Sequence, residues 1–321
     1  LSWSPAQKYL ASQAERACYT LNQVLYNCDY SCKVGMKLFD ACVLPIITYG
    51  SELFASNVHN CVETVKLKYF KKLLGVGRYS SDAAVRGECG QYKVYITCVL
   101  KSIKYWLKLL REEEGKLLNS CYNMLFIGCE NGKVNWASGI KHLLSVYGFY
   151  DVWVSQGTPN EKVFLYNLER RIRDCETQIW RAEITSSPKL NYYCMFKVSF
   201  EVEPYLLTNL PRKVKKQYAK FRMSNHNLQV EKGRHTNMPR EDRLCAFCGI
   251  EANINRIECE FHMLFECILY SDLRRNLPNL SWDKTLFNFV KILSCKEEKH
   301  VNDLAWFIWK CFSTRTNHLD E

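Results

Sequence analysis

The sequence lacks any run long enough to cross a membrane: its longest apolar stretches, such as the one around 41–47, fall far short of the ~20 residues a spanning helix needs. It lacks a secretory leader as well. Lys8, Glu15 and Arg16 interrupt the opening residues, and no apolar core with a small-residue cleavage site follows. A disordered composition is excluded by the 47% of hydrophobic residues, which in a chain of 321 suffice for a large core shared between about two domains. Cysteine is plentiful without reaching the density of a disulfide scaffold, since 17 of 321 residues is about 5%. With no secretion signal, cysteines outside a ligand pattern read as reduced, buried, small hydrophobes. Together these absences predict an intracellular protein, nuclear or cytoplasmic, with no membrane partner. A chain that begins at Leu1 rather than Met reads as a fragment or a processed product.

What is present is mainly helical patterning. Ser4-Pro5-Ala6-Gln7 suits a helix start, with Ser4 as cap, Pro5 in the first turn and Gln7 completing a capping box. Leu10, Ala14, Ala17, Cys18, Leu21 and Leu25 then keep the helical spacing. The stretch 36–49 reads as a buried helix that Pro45 kinks or ends. Over 62–74 an amphipathic helix carries Lys66, Lys68, Lys71 and Lys72 and is stopped by Gly75. Its basic face is either a solvated surface or one that lies along a nucleic-acid backbone. Gly75-Val76-Gly77 lacks the third glycine and preceding strand of a dinucleotide fingerprint, so that reading is discarded.

A further long helix is expected over 94–110. Asn131-Gly132 marks a turn, and the aromatic-rich, mixed pattern of 133–157 suggests a boundary. Helix returns over 161–184 until Ser186-Ser187-Pro188 breaks it, and 192–200 is a strand or an extended connector.

Lys and Arg number 44 against 33 Asp and Glu, a net +11 that favours polyanionic partners if it is clustered. It is clustered: 212–243 holds ten basic and three acidic residues, or +7 in 32 residues, interleaved with Tyr218, Phe221 and His226. Positive charge mixed with stacking side chains is what a surface tracking a nucleic-acid backbone requires. Lys215, Lys216, Lys220, Arg222 and Arg234 are the expected contacts there, with Lys68, Lys71 and Lys72 making a second one.

Directly after this stretch, Cys245, Cys248, His262 and Cys267 spell C-x2-C-x13-H-x4-C. Two thiolates from a tight knuckle, which Gly249 helps to turn, plus a later His and Cys make a tetrahedral Cys3His set for Zn2+. Four protein ligands leave no open position, so the metal is expected to be structural. Five helical positions rotate by about 140° net, so Cys267 is expected where its helix ends or distorts. Cys259 is a rival ligand.

At this point the order of several short words becomes informative. Leu38-Phe39-Asp40, Leu44-Pro45, Tyr49-Gly50-Ser51-Glu52, Lys72-Leu73-Leu74-Gly75-Val76, Ala83-Ala84-Val85, Gly87-Glu88-Cys89-Gly90 and Tyr95-Ile96 resemble the region just downstream of the catalytic core in reverse transcriptases of non-LTR (LINE-type) retrotransposons. Phe196-Lys197, Val202-Glu203-Pro204-Tyr205-Leu206, Phe221-Arg222, Ser224-Asn225-His226, Leu228, Glu231-Lys232-Gly233-Arg234 and Pro239-Arg240-Glu241 look like the linker before that family's C-terminal zinc module. The metal-ligand motif, followed by Tyr270 and Arg274, looks like the module itself. The resemblance covers about 5–310.

It implies a helical thumb-like domain (1–130), a helical or mixed connector (131–205), and a basic linker, Cys3His zinc module and terminal helix (206–321). The family's polymerase needs a Tyr-x-Asp-Asp turn to hold two metal ions, and no Asp-Asp pair occurs in this sequence. No upstream-type endonuclease and no RNase H carboxylate set is recognisable. The expectation is therefore a non-catalytic piece of an RNA-directed DNA polymerase. It would hold primer-template or target DNA, including RNA–DNA duplex, and partner an upstream polymerase core. The alternative is a degenerate or host-adopted fragment that uses the same surfaces for protein contacts. A cysteine hydrolase finds no support, since no Cys-His pair has a recognisable nucleophile context.

Overall fold

A computed structural model describes residues 2–26, 31–252, 256–277 and 280–320. The structure is mainly helical, at 71%, with no strand among the described residues. Along the chain run α1 (Ser4–Tyr26), α2 (Asn60–Leu74), α3 (Asp82–Cys89), α4 (Val94–Leu110), α5 (Leu117–Glu130) and α6 (Trp136–Val146). They are followed by α7 (Glu161–Ser186), α8 (Arg212–Arg222), α9 (Gln229–His235), α10 (Leu286–Ser294) and α11 (Glu298–Asp320). No described helix is long and apolar enough to cross a membrane.

Two compact units form, one within Leu1–Asn27, Lys37–Lys66 and Tyr92–Ile179, the other within Cys28–Met36, Leu67–Gln91 and Trp180–Glu321. They alternate along the chain instead of following one another. Positions 130 and 205, where breaks were expected, fall inside them, because α2 and α7 each carry residues of both.

The first unit is organised around α4 and its aromatic neighbours. Trp106 is fully buried and stacks on Trp153 with centroids 5.9 Å apart. Its indole N–H donates to the Tyr122 hydroxyl (2.9 Å), which in turn donates to Gln156 Oε1 (2.5 Å). Each ring brings one polar atom into the core, and each atom is satisfied there. The segment 133–157 is no boundary, since Ile140, Leu144 and Trp153 are among the most buried residues of this core. An Asn135–Ser138 capping box starts α6 there, directly after the Asn131-Gly132 turn.

Gln7 does not complete a capping box. Its buried amide donates to Asn57 O (2.9 Å) and accepts from His59 N–H (2.6 Å), fastening α1 to the segment just after the 3-10 turn Ala55–Asn57. Ser4 is the first helical residue, and Ser2 Oγ accepts its N–H at 3.3 Å. The helix expected over 36–49 is present in three parts, Cys32–Leu38, a π-turn at Phe39–Val43, and Leu44–Ile47. Pro45 has no N–H to offer the preceding turn, so the hydrogen-bond ladder slips by one residue before it.

In the second unit Gly87 allows a close approach. A Cβ there would lie 2.8 Å from both the Trp180 and Tyr193 side chains. Without one, Trp180 Nε1 donates to Ala83 O (2.9 Å) and Tyr193 Oη to Ala84 O (3.2 Å). Burying an aromatic side chain of this size contributes about 1.5–3 kcal/mol. The residues 192–200 form neither strand nor extended connector at their start, where the short helix Tyr193–Phe196 turns Phe196 inward. The basic stretch is likewise no linker: α8 packs along α11 and α9 follows it.

Candidate metal centre and basic surface

An antiparallel bridge between Leu244 and Ile257 opens the metal-binding segment, with Cys245 N–H donating to Arg256 O and Glu258 N–H to Arg243 O, both at 2.8 Å. It sets Cys245 at the start of the short helix Ala246–Ala252, whose first turn brings Cys248 alongside. Gly249 lies within that helix without positive φ and with open space where a side chain would stand, so the knuckle does not depend on it. From the other side comes a π-turn, His262–Glu266, closed by Cys267 N–H donating to His262 O (2.9 Å). The wider turn is how a His and a Cys five positions apart reach one point. Cys267 itself leaves the helix in an extended conformation, and Arg274 donates to two carbonyls within the turn, Met263 O and Leu264 O, at 3.4 and 3.3 Å and also to Cys267 O.

The result is a buried group of Cys245, Cys248, His262 and Cys267 whose ligand atoms all lie within 4.8 Å of one another, an arrangement that could hold a metal ion. Cys245 Sγ and Cys267 Sγ are 3.8 Å apart, Cys248 Sγ and Cys267 Sγ 3.9 Å, and His262 Nε2 is 3.4 Å from Cys248 Sγ. The other imidazole nitrogen, Nδ1, is 3.1 Å from Glu266 Oε2, which fixes the ring with Nε2 inward.

Proton sharing in the cluster is uneven. A hydrogen bond from the Cys267 thiol holds Cys245 down to about 3, and the same bond pushes Cys267 up. Burial opposes charge on His262, but hydrogen bonds to Cys245 and Glu266 outweigh it and raise the ring. Hydrogen bonding within the group thus favours the thiolate on Cys245 over that on Cys267. Cys259 is not part of this group: its Sγ faces the Tyr192 hydroxyl at 3.7 Å, and burial pushes its thiol up.

The centre is fixed to helices of its unit by two carboxylates that follow Ile257. Glu258 accepts from Arg315 of α11 and, through Oε2, from Gln229 N (2.7 Å), while Glu260 Oε1 accepts from Ser224 Oγ (2.7 Å) and meets His226 Nε2 at 2.9 Å. Neither carboxylate nor Arg315 stood out in the sequence, because their partners lie 29–57 residues away.

The eight expected nucleic-acid contacts divide. Two are corrected outright. Lys215 is buried and its ammonium donates to Thr208 O (2.6 Å) and Leu206 O (3.5 Å). Arg222 is buried too, bonded to Glu88 (3.1 and 3.2 Å), to Glu203 Oε2 (2.8 Å) and to Leu293 O (2.8 Å). Two more are already engaged, Lys71 by Asp82 (2.6 Å) and Arg78 O (2.8 Å), and Arg234 by Glu231 (3.1 Å). Lys68 and Lys72 are exposed, and Lys216 and Lys220 half-buried.

The end of α2, which carries Lys68 and Lys72, approaches α8, which carries Lys216 and Lys220. Gly75, which ends α2 in a left-handed turn (φ +69°), lies so close to the Lys216 stem that a Cβ there would come within 2.5 Å of it. Two residues on, Gly77 N–H donates to Asn225 Oδ1 (2.8 Å), just past the end of α8. Two basic segments about 140 residues apart in the chain thus meet. Burial first, then repulsion from Arg212 and Lys220, holds the Lys216 ammonium below its ordinary value. Arg212, Lys216 and Lys220 thus gather like charge along one helix. Comparison of the chain with protein-family models, with curated proteins and with solved structures found no match.

Proposed function

We propose that this chain is a nucleic-acid-holding piece of a non-LTR-type reverse transcriptase, without the catalytic core, in which a structural zinc ion fixes the segment beside a basic surface. The observation that carries the reading is the approach of the Gly75 turn, which ends the helix bearing Lys68 and Lys72, to Lys216 on the helix that also bears Lys220. The ordered resemblance of the sequence words supports it independently. Cations on two helices can neutralise successive phosphates of a duplex without reading its bases. RNA–DNA duplex or target DNA are the ligands and an upstream polymerase core the partner. No Asp-Asp pair is present in this sequence to hold catalytic metals, so the chain's own chemistry is binding.

Zinc is the metal that the donor set fits. Three sulfurs and one imidazole are soft to borderline ligands. For Zn–S ≈ 2.3 Å and Zn–N ≈ 2.0–2.1 Å, a tetrahedron has S···S edges of about 3.8 Å and S···N edges of about 3.6 Å. The observed edges are 3.8, 3.9 and 3.4 Å. With every position taken by protein the ion would join the knuckle to the π-turn and activate no water.

A second reading, a protein-contact fragment, is favoured by one feature, the exposed apolar side chains of Leu117, Met124 and Ile127 on α5. Salt separates the two. Affinity for a 20-base-pair RNA–DNA duplex should fall steeply between 50 and 200 mM salt, by about 10²-fold or more for several phosphate contacts. A chain that binds no duplex at 50 mM salt, or binds it with salt-independent affinity, would contradict the proposal.

A further inference from the structure

Between α8 and α11, and continuous with the basic surface through Lys220, the second unit opens into a cavity of 520 Å³. Its walls differ from the surface around it. Trp309 and Phe312 supply aromatic area, Gln217, Asn225, Asn227 and Asn317 supply four amides, and among the described residues no carboxylate lines it. The volume falls within the ~300–1,000 Å³ typical of small-ligand pockets.

Amide side chains offer a donor and an acceptor side by side, the complement of a nucleobase edge, and they do so without attracting a bare ion. A tryptophan offers a plane on which a base can stack. Lys213 Nζ sits 4.5 Å from the centroid of the Trp309 ring, which holds that ring in place. Asn225 is also fixed. Its Oδ1 accepts the Gly77 N–H at 2.8 Å, so its Nδ2 donors are left for another partner. Lys216 and Lys220 stand one turn apart on α8, about 6 Å along the helix, and lead from the Gly75 turn to the cavity.

The geometry points to a pocket for one unpaired base of a single strand whose backbone crosses Lys216 and Lys220, the base stacking on Trp309 with its edge toward the amides. This rests on the nucleic-acid reading and adds to it a place where bases are felt. It predicts that the chain prefers a strand carrying bases to the same backbone without them, whereas a fully paired duplex, whose bases stay in the stack, is indifferent to the pocket.

The test uses the full chain loaded with zinc and two labelled ten-nucleotide strands, one ordinary and one made wholly of abasic residues. Stacking on an aromatic is worth ~1–3 kcal/mol per base, or about 5- to 140-fold at 1.4 kcal/mol per factor of ten. The ordinary strand should bind tighter by that factor, and Trp309→Ala should erase the difference while duplex affinity and the salt slopes remain. Asn317→Ala removes one exposed amide without touching the core and should reduce the preference several-fold. If both strands bind equally and with a steep salt slope, or if the preference persists in both variants, the pocket is overturned and the backbone reading stands. If neither strand nor the duplex binds at 50 mM salt, both fall.

Discussion

Replacing Arg222 with Met should destabilise the second unit severely while leaving its affinity for nucleic acid intact. The guanidinium makes charge-assisted bonds to Glu88 Oε2 (3.1 Å), Glu88 Oε1 (3.2 Å) and Glu203 Oε2 (2.8 Å), and donates to Leu293 O (2.8 Å). Glu88 is fully buried; its Oε2 also accepts from the Tyr205 hydroxyl at 2.7 Å, but among the described residues no other cation is paired with it. Glu203 keeps Lys197, at 2.5 Å. Removing one member of a buried ion pair typically costs about 3–5 kcal/mol, because a charge is left without compensation. Set against a typical stability of ~5–15 kcal/mol, that is about a fifth of the total or more.

The assay is urea unfolding followed by tryptophan fluorescence, with the slope compared to confirm that the denatured state is unchanged. A double variant, Arg222→Met with Glu88→Gln, should lose less than the sum of the two singles, by roughly 0.5–3 kcal/mol of coupling. A loss below about 1 kcal/mol for Arg222→Met, which is the range of surface pairs, would refute the buried assignment. So would a fall in duplex affinity in a variant that remains folded.

Three further outcomes are expected. The purified reduced chain should hold one zinc, and Cys248→Ser with Cys267→Ser should abolish it; zinc absent from the parent, or retained by the double variant, contradicts the ligand set. Glu266→Gln should weaken metal binding by about 10- to 100-fold, the usual effect of losing the carboxylate that orients a metal-bound histidine, and a competition assay with a chromophoric chelator would show it. Burial disfavours the Glu203 carboxylate, but Arg222 and Lys197 outweigh that and hold it below the ordinary glutamate value of 4.5. The folded chain therefore sheds a proton that the unfolded chain keeps, so this stabilisation is complete above 4.5 and lost as pH falls through the folded value. Glu203→Gln should be less stable near neutrality and lose less on acidification, and parallel pH profiles for variant and parent would count against the pairing.

The metal group was legible because its signal is local: spacing alone brought four ligands together and required Cys267 to sit at a distorted helix end. The fate of the basic residues was partly legible too. At 100° per residue, Lys215 and Arg222 fall at about 100° and 80° from Val214, within the arc shared by Tyr218, Ala219 and Phe221, whereas Lys216 and Lys220 fall at about 200° and 240°. That arc is the buried one. Counting charge along the stretch concealed it. What the sequence could not supply was the compensation that makes burial tolerable, since Glu88 stands 134 residues from Arg222. The alternation of the two units was hidden for a similar reason: α2 and α7 read as ordinary amphipathic helices, and nothing along either marks the residue at which its neighbours change.

The most direct test of the account is the salt dependence of duplex binding in two sets of variants. Neutralising Lys68, Lys72, Lys216 and Lys220 to Gln should remove up to about 3.6 units from the log–log slope, at ~0.9 per phosphate contact on a duplex, and about 2.8 on a single strand at ~0.7. The Lys215→Met and Arg222→Met variants, measured while folded, should keep the parent slope, because their charges are spent inside the protein. An unchanged slope in the four-Gln variant, or a flattening confined to the Lys215 and Arg222 variants, would contradict the proposed basic surface.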